Sequence, residues 1–157
     1  MRLSHVLKHI GISMGRIVVH FHGKSKDKSM SSSIQSYSER ILPRGIKTEV
    51  HSEKLSVDDY LEQLQSKQGI LILLDEGGDQ YTSEELAMLC KEWALQGQDT
   101  HLAIGPFDGW PKSGKSQKIA RISLSQMTFP HELASVLLLE QLYRATEINR
   151  GSGYHKA

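Results

Sequence analysis

The chain has 157 residues, 38% hydrophobic and 24% charged, with a formal net charge of +1, an ordinary globular composition that fits one domain with a full core spanning residues 1–157. No apolar run approaches the roughly 20 residues needed to cross a bilayer, and Met1 to Gly15 has neither the sustained apolar stretch nor the small-residue cleavage site of an export signal. No membrane partner is therefore expected, and a cytoplasmic location is.

Arg16 to His22 is rich in β-branched and aromatic residues and reads as a strand. Gly23 to Ser33, a stretch of Gly, Lys and Ser, reads as a loop. Ile34 to Leu42 reads as a short helix stopped by Pro43, and Ile46 to Val50 alternates apolar and polar like a strand. Val57, Tyr60, Leu61 and Leu64 form a helical stripe with Ser56 as N-cap. Ile70 to Leu74 is a continuous apolar strand of the kind buried on both faces. Thr82-Ser83-Glu84-Glu85 is a capping box that opens a helix through Leu86, Leu89, Cys90 and Trp93, stopping at Gly97. Cys90, the single cysteine, can form no internal disulfide and reads as a small buried thiol. His101 to Ile104 and Ile119 to Leu124 are further short strands, and Pro130 introduces a helix from His131 to about Ile148. Strand and helix alternate throughout, so the expected class is α/β with a mainly parallel sheet.

The small net charge hides a strong segregation. Residues 1–56 carry ten Lys and Arg against four acids, whereas residues 57–99 carry ten acids against two bases. From Gly109 to His131 there is no acid, and Lys112, Lys115, Lys118 and Arg121 recur every three residues, a spacing that puts them on one face if the segment turns helically. Such a pattern fits a polyanion-binding face and fits a solvated basic edge equally well.

Gly109-Trp110-Pro111-Lys112-Ser113-Gly114-Lys115-Ser116 matches the phosphate-loop pattern G-x-x-x-x-G-K-[ST], and Leu71 to Glu76 looks like its companion aspartate strand. A working loop of this kind needs a strand running into its first glycine and a helix starting at its lysine. Pro106-Phe107-Asp108 intervene on one side and the β-branched segment from Ile119 follows closely on the other. A P-loop-like nucleotide-binding protein built on Gly109–Ser116 is thus a rival reading. His20 and His22 share a strand face, but no further Cys or His lies at ligand spacing nearby, so no metal is expected.

Three turns, after Leu74, Ile104 and Leu124, follow apolar strands at the edge where open α/β sheets bind ligands. Gly105 allows a ligand close to the backbone. Leu124, Met127 and Phe129 offer apolar walls and Ser125, Gln126 and Thr128 small polar groups, which suits an adenine-like ring and also an ordinary strand-to-helix connection. Chain ends are normally featureless, so Gly153-Tyr154-His155-Lys156, with its two rings, points to a tail that is held in place.

Together these segments resemble the RlmH family, SPOUT-class methyltransferases that methylate N3 of a pseudouridine in large-subunit ribosomal RNA. The likeness is carried by Leu73-Leu74-Asp75-Glu76 with Gly78, Thr82 to Leu86, Ile104-Gly105 with Asp108-Gly109, Leu124-Ser125 through Pro130-His131, Val136 to Ala145, and Tyr154-His155-Lys156. It implies a C-terminal trefoil knot, an exception to the rule against knotted chains, and a homodimer. It implies S-adenosylmethionine bound at Leu74, Gly105, Leu124, Ser125, Gln126, Met127, Thr128 and Phe129, and a tail that helps to complete the active site. In such a tail His155 is the candidate for removing the N3 proton or orienting the base, and Tyr154 for stacking on or hydrogen-bonding it. Lys24, Lys26, Lys28, Lys112, Lys115, Lys118, Arg121 and Lys156 are the candidate phosphate contacts to ribosomal RNA or the ribosome. The chain departs from the family at Pro106, where a second glycine is usual, at Gly153 and Lys156, where the tail usually reads Pro-Tyr-His-Arg, and in residues 1–15, an N-terminal extension. An RNA-binding module of this fold without activity is the non-enzyme rival.

Overall fold

The computed structural model describes residues 15–156, so the expected N-terminal extension, apart from Gly15, lies outside the described residues. Strands β1 (Ile17–His22), β2 (Ile46–His51), β3 (Ile70–Gln80), β4 (Thr100–Ala103) and β5 (Ala120–Ser123) form one sheet in the order β2-β1-β4-β3-β5. Every neighbouring pair is parallel, as the alternating strand and helix pattern requires. Helices α1 (Lys28–Ile41), α3 (Ser83–Leu95) and α4 (His131–Arg150) pack on one face of the sheet, and α2 (Val57–Gln65) packs on the other.

On the first face Val19, Phe21, Ile72 and Leu102 meet Leu86, Cys90 and Trp93 of α3 and Leu138, Leu139, Leu142 and Ala145 of α4. In α4 Leu138, Leu139, Leu142 and Ala145 are fully buried, one stripe of the helix, and each such leucine contributes about 1.5–3 kcal/mol through burial. Cys90 is buried here, and desolvation pushes its thiol up to about 12. The second face is smaller: Tyr60, Leu61 and Leu64 of α2 close over Leu73, Ala103 and Trp110.

The expected helix starts are found in their expected form. The Ser56 hydroxyl accepts from Asp59 N at 3.1 Å. The Thr82 hydroxyl accepts from Glu85 N at 3.1 Å while the Glu85 carboxylate accepts from Thr82 N at 2.8 Å, which satisfies two otherwise unpaired helix donors.

Two segments differ from the sequence reading. The stretch expected as a loop to Ser33 becomes helical at Lys28, where the Asp27 carboxylate accepts from Met30 N at 3.0 Å. Serines disfavour a helix only locally, and here Ile34, Tyr37 and Ile41 are supplied with a core to pack against. The strand expected to end at Leu74 continues to Gln80, with a register shift that places both Leu74 and Asp79 opposite Ile122. Gly78 makes the return possible, since a Cβ there would lie 2.7 Å from the Arg121 carbonyl carbon.

Candidate functional site

The irregular stretch of β3 that follows Leu74 and the turns after β4 and β5 converge around a cavity of about 600 Å³, so the first of the three expected turns is a bulged part of a continuing strand. Leu74, Gly105, Leu124, Ser125, Met127, Thr128 and Phe129 line it, so seven of the eight expected cofactor positions share one space and Gln126 alone stands outside. Its size falls within the range usual for small-molecule sites. Asp75, Glu76, Lys112 and Arg121 supply charge to the same wall. The Thr128 hydroxyl donates to the Glu76 carboxylate, which ties the turn after β5 to β3. A second cavity of about 360 Å³ shares Leu124 and Phe129 and is closed by Tyr81, Leu86 and Gln141.

Two residues that sequence reasoning passed over hold these turns in place. The Trp110 indole N–H donates to the Leu74 carbonyl at 2.8 Å, and the Tyr60 hydroxyl donates to the Ile104 carbonyl at 2.9 Å. Their rings stack with centroids 5.5 Å apart and planes 9° from parallel. Burial pushes the Tyr60 phenol above its ordinary value, so it stays a donor. Gly105 was expected to admit a ligand, and the structure fills that side with the Trp110 indole, which a Cβ would meet at 3.1 Å. A tryptophan between Gly109 and Pro111 was the one available signal, absorbed into the phosphate-loop pattern.

That pattern lacks its required context. β4 ends at Ala103, and Lys115 to Lys118 make a four-residue 3-10 turn rather than a helix. The Ser116 hydroxyl donates back to the Pro111 carbonyl at 3.1 Å. The expected basic face loses Arg121, which is paired inward. Lys112 and Lys118 are exposed and the side chain of Lys115 lies outside the described residues. Arg121 bonds Asp75 at 3.2 Å and the Ser116 carbonyl at 3.0 Å, so it braces the cavity wall.

Lys24, Lys26 and Lys28 are exposed on the loop after β1 and the first turn of α1. Glu132, in the first turn of α4, accepts from the Ser25 hydroxyl and from Lys26 N and Asp27 N at 2.9 and 3.2 Å. These bonds hold the Glu132 carboxyl below its ordinary value, Ser25 contributing most. They bring the basic loop next to His131, a residue of the cavity wall. Lys26 is ion-paired with Glu53 at 3.5 Å.

The tail is held, as its composition suggested. Tyr154, His155 and Lys156 make a 3-10 turn against α4. The Tyr154 hydroxyl donates to Glu140 at 3.0 Å and its ring lies under Arg144 at 4.9 Å. Burial, with the bond to Glu140, pushes its phenol up to about 12. His155 Nε2 lies 2.7 Å from Glu84 on α3, and Lys156 is exposed. Neither ring lines the cavity of its own chain. From His131 to Glu140 is nine residues of α4, or about 13 Å of helix axis.

A further cluster was invisible to local spacing. Parallel pairing brings His51 of β2 and His101 of β4 to either side of His20, each with a ring nitrogen 2.8 Å away. His20 is wholly buried, and desolvation lowers it to about 3, helped by the adjacent His101 and His51. His22 does not join them, because its Nε2 bonds the Leu55 carbonyl at 2.8 Å.

A parallel α/β sheet with a ligand-sized cavity between one bulged strand and two turns defines the class: a parallel α/β domain with an open cleft, here set against a long closing helix. Residues 15–155 match the family model described as "Predicted SPOUT methyltransferase". The chain belongs to the SPOUT methyltransferase family, and it is an enzyme of that class. A protein of Koribacter versatilis named ribosomal RNA large subunit methyltransferase H is 40% identical over 138 residues, which cover 85% of this chain and 92% of that protein. Proteins of the same name from Coprothermobacter proteolyticus and Prochlorococcus marinus (strain NATL2A) are 38% and 36% identical, again over 85% of this chain and over 94% and 91% of theirs. The crystal structure of TrmJ from Z. mobilis ZM4 overlaps with a TM-score of 0.46 at 8% identity, covering 83% of this chain and 69% of that one.

Proposed function

We propose that this protein transfers a methyl group from S-adenosylmethionine to N3 of a pseudouridine in large-subunit ribosomal RNA, in the cytoplasm, as a knotted homodimer. The observation that carries the reading is the convergence of Leu74, Gly105 and five residues of the 124–129 run on one cavity, from three segments far apart in sequence. The apolar walls Leu124, Met127 and Phe129 suit an adenine ring, and Ser125, Thr128 and the backbone of the turns suit its polar edge. Bound there, S-adenosylmethionine supplies an electrophilic methyl group.

The protein's own residues then do three things. The cavity walls hold the acceptor nitrogen in line and exclude water, which in such displacements supplies most of the rate. Tyr154 stacks on or hydrogen-bonds the flipped base, and His155 takes its N3 proton or orients it. Lys24, Lys26, Lys28, Lys112, Lys115, Lys118 and Lys156 contact phosphates. The separation between each tail and its own cavity supports a dimer in which the tail of one protomer faces the cavity of its partner. Exposed Phe107 and Met127 at the cavity rim are apolar enough to belong to such a contact.

Calorimetry with S-adenosylmethionine and with ATP tests the cofactor, and the expected result is binding of the first alone. Mass mapping of ribosomal RNA from a deletion strain tests the reaction: one pseudouridine is expected to lose its N3 methyl group and to regain it on complementation. Intact methylation in the deletion strain would leave the inactive RNA-binding module as the better reading.

A further inference from the structure

The buried histidine row forms a hydrogen-bond chain whose proton count does not close. At one end Gln63 Oε1 faces His51 Nδ1 at 3.0 Å, and His51 Nε2 faces His20 Nδ1 at 2.8 Å. His20 Nε2 then faces His101 Nδ1 at 2.8 Å, and His101 Nε2 faces the Gln68 carbonyl at 3.0 Å. Both ends are carbonyl oxygens, which only accept, so His51 Nδ1 and His101 Nε2 each carry a hydrogen. A neutral imidazole has one hydrogen, which leaves His51 Nε2 and His101 Nδ1 bare. His20 sits between them with a single hydrogen for two bare nitrogens. With all three rings neutral, one of its contacts therefore sets lone pair against lone pair, a repulsion that either one further proton, making an imidazolium, or a metal cation between the rings relieves.

The surroundings decide which contact that is. The Glu49 carboxylate lies 3.9 Å from His20 Nδ1. The ligand atoms of His20, Glu49 and His51 all fall within 4.8 Å of one another, which no other group of such side chains achieves among the described residues. We propose that His20 Nδ1, His51 Nε2 and a Glu49 oxygen bind one divalent transition-metal ion of the zinc type, pinning β1 to β2 on the face covered by α2. With His20 Nε2–H donating to His101, every ring is then neutral, as a ligand must be, and each ligand histidine gives its other N–H to an acceptor, the outer arrangement metal sites favour.

Two imidazoles and a carboxylate are a proper donor set for zinc, with a fourth position for water. Four-coordinate geometry spaces the ligand atoms about 3.3 Å apart, so the two nitrogens open by roughly half an ångström, and the carboxylate closes by about as much toward His20 and by more toward His51. Glu49 is free to do so. Its side chain is 35% exposed, which also gives the ion a way in, and Lys67 holds only its other oxygen, at 3.1 Å.

The test is calorimetric titration of zinc chloride into the full 157-residue chain after chelator treatment, with cobalt(II) absorption as a second readout. One equivalent of zinc is expected to bind, and cobalt to give the intense visible bands of a four-coordinate site. Glu49→Gln and His51→Gln should weaken binding at least as much as Gln63→Leu, for which the loss of an outer partner predicts about 10- to 100-fold. Far-UV circular dichroism reports whether each variant is folded, and Glu49→Gln, at the surface, keeps the experiment decisive if a buried variant unfolds. Three outcomes overturn the proposal: no zinc bound by the folded wild-type chain, unchanged affinity in Glu49→Gln, or loss of binding in His155→Gln, which would put the ion at the tail. The first is also what a rotated Gln63 amide, donating to His51 and closing the chain without an ion, would give.

Discussion

At the scale of single residues, the candidate cofactor cavity depends on two side chains that contribute little of its surface. Trp110 and Tyr60 bond the carbonyls of Leu74, at the register shift of β3, and of Ile104, just after β4, from residues 36 and 44 positions away, so the shape of both stretches is set from outside them. Trp110→Phe keeps the ring stack and deletes the N–H. It is expected to cost about 1–3 kcal/mol in denaturant unfolding, because the Leu74 carbonyl loses its partner in a buried place, and to weaken S-adenosylmethionine in calorimetry. Lost stability with full cofactor affinity would assign Trp110 to the sheet alone. Leu74, Gly105 and five residues of the 124–129 run were legible beforehand as neighbours of one cavity because apolar runs mark the buried strands that lead to it. Trp110 was not, since its partner is a backbone atom that no side-chain pattern announces.

Between elements, one carboxylate joins the first helix to the last. Glu132 sits in the first turn of α4 and receives the Ser25 hydroxyl and two backbone N–H groups that lead into α1. Its folded value lies below the ordinary 4.5, so the unfolded chain binds the proton more readily. The resulting stabilisation is complete above the unfolded value and is lost as pH falls through the lowered folded one. Glu132→Gln should therefore flatten the fall in stability as pH is lowered from the ordinary carboxylate range, as followed by thermal unfolding at a series of pH values. An unaltered acid slope would mean that Glu132 carries no linkage. The helix starts at Ser56 and Thr82 were readable because a cap is a local code of a few residues. The start of α1 at Lys28 was hidden because its core partners lie on α4.

For the whole molecule, charge and topology work together. Segregated charge in the sequence becomes a basic loop at 24–28 and an exposed Lys112 at the cavity, while exposed Lys118 precedes β5 and Arg121 turns inward to Asp75. Replacing Lys24, Lys112 and Lys118 with glutamine should weaken binding to ribosomal RNA. It should also reduce the slope of log affinity against log salt by roughly 0.7–0.9 for each phosphate that is no longer neutralised. A slope equal to wild type in filter binding would place the RNA on another face.

The sequence by itself determined the α/β class, the order of the elements and most of the residues that meet at the cavity, because periodicity, caps and apolar runs act over a few residues. Only the tertiary structure decided which distant residues meet: Trp110 with Leu74, Glu132 with Ser25, and His20 with both His51 and His101. Strand order in a parallel sheet is not the order of the chain, and the register that aligns three histidines on one face is set by packing across the whole molecule.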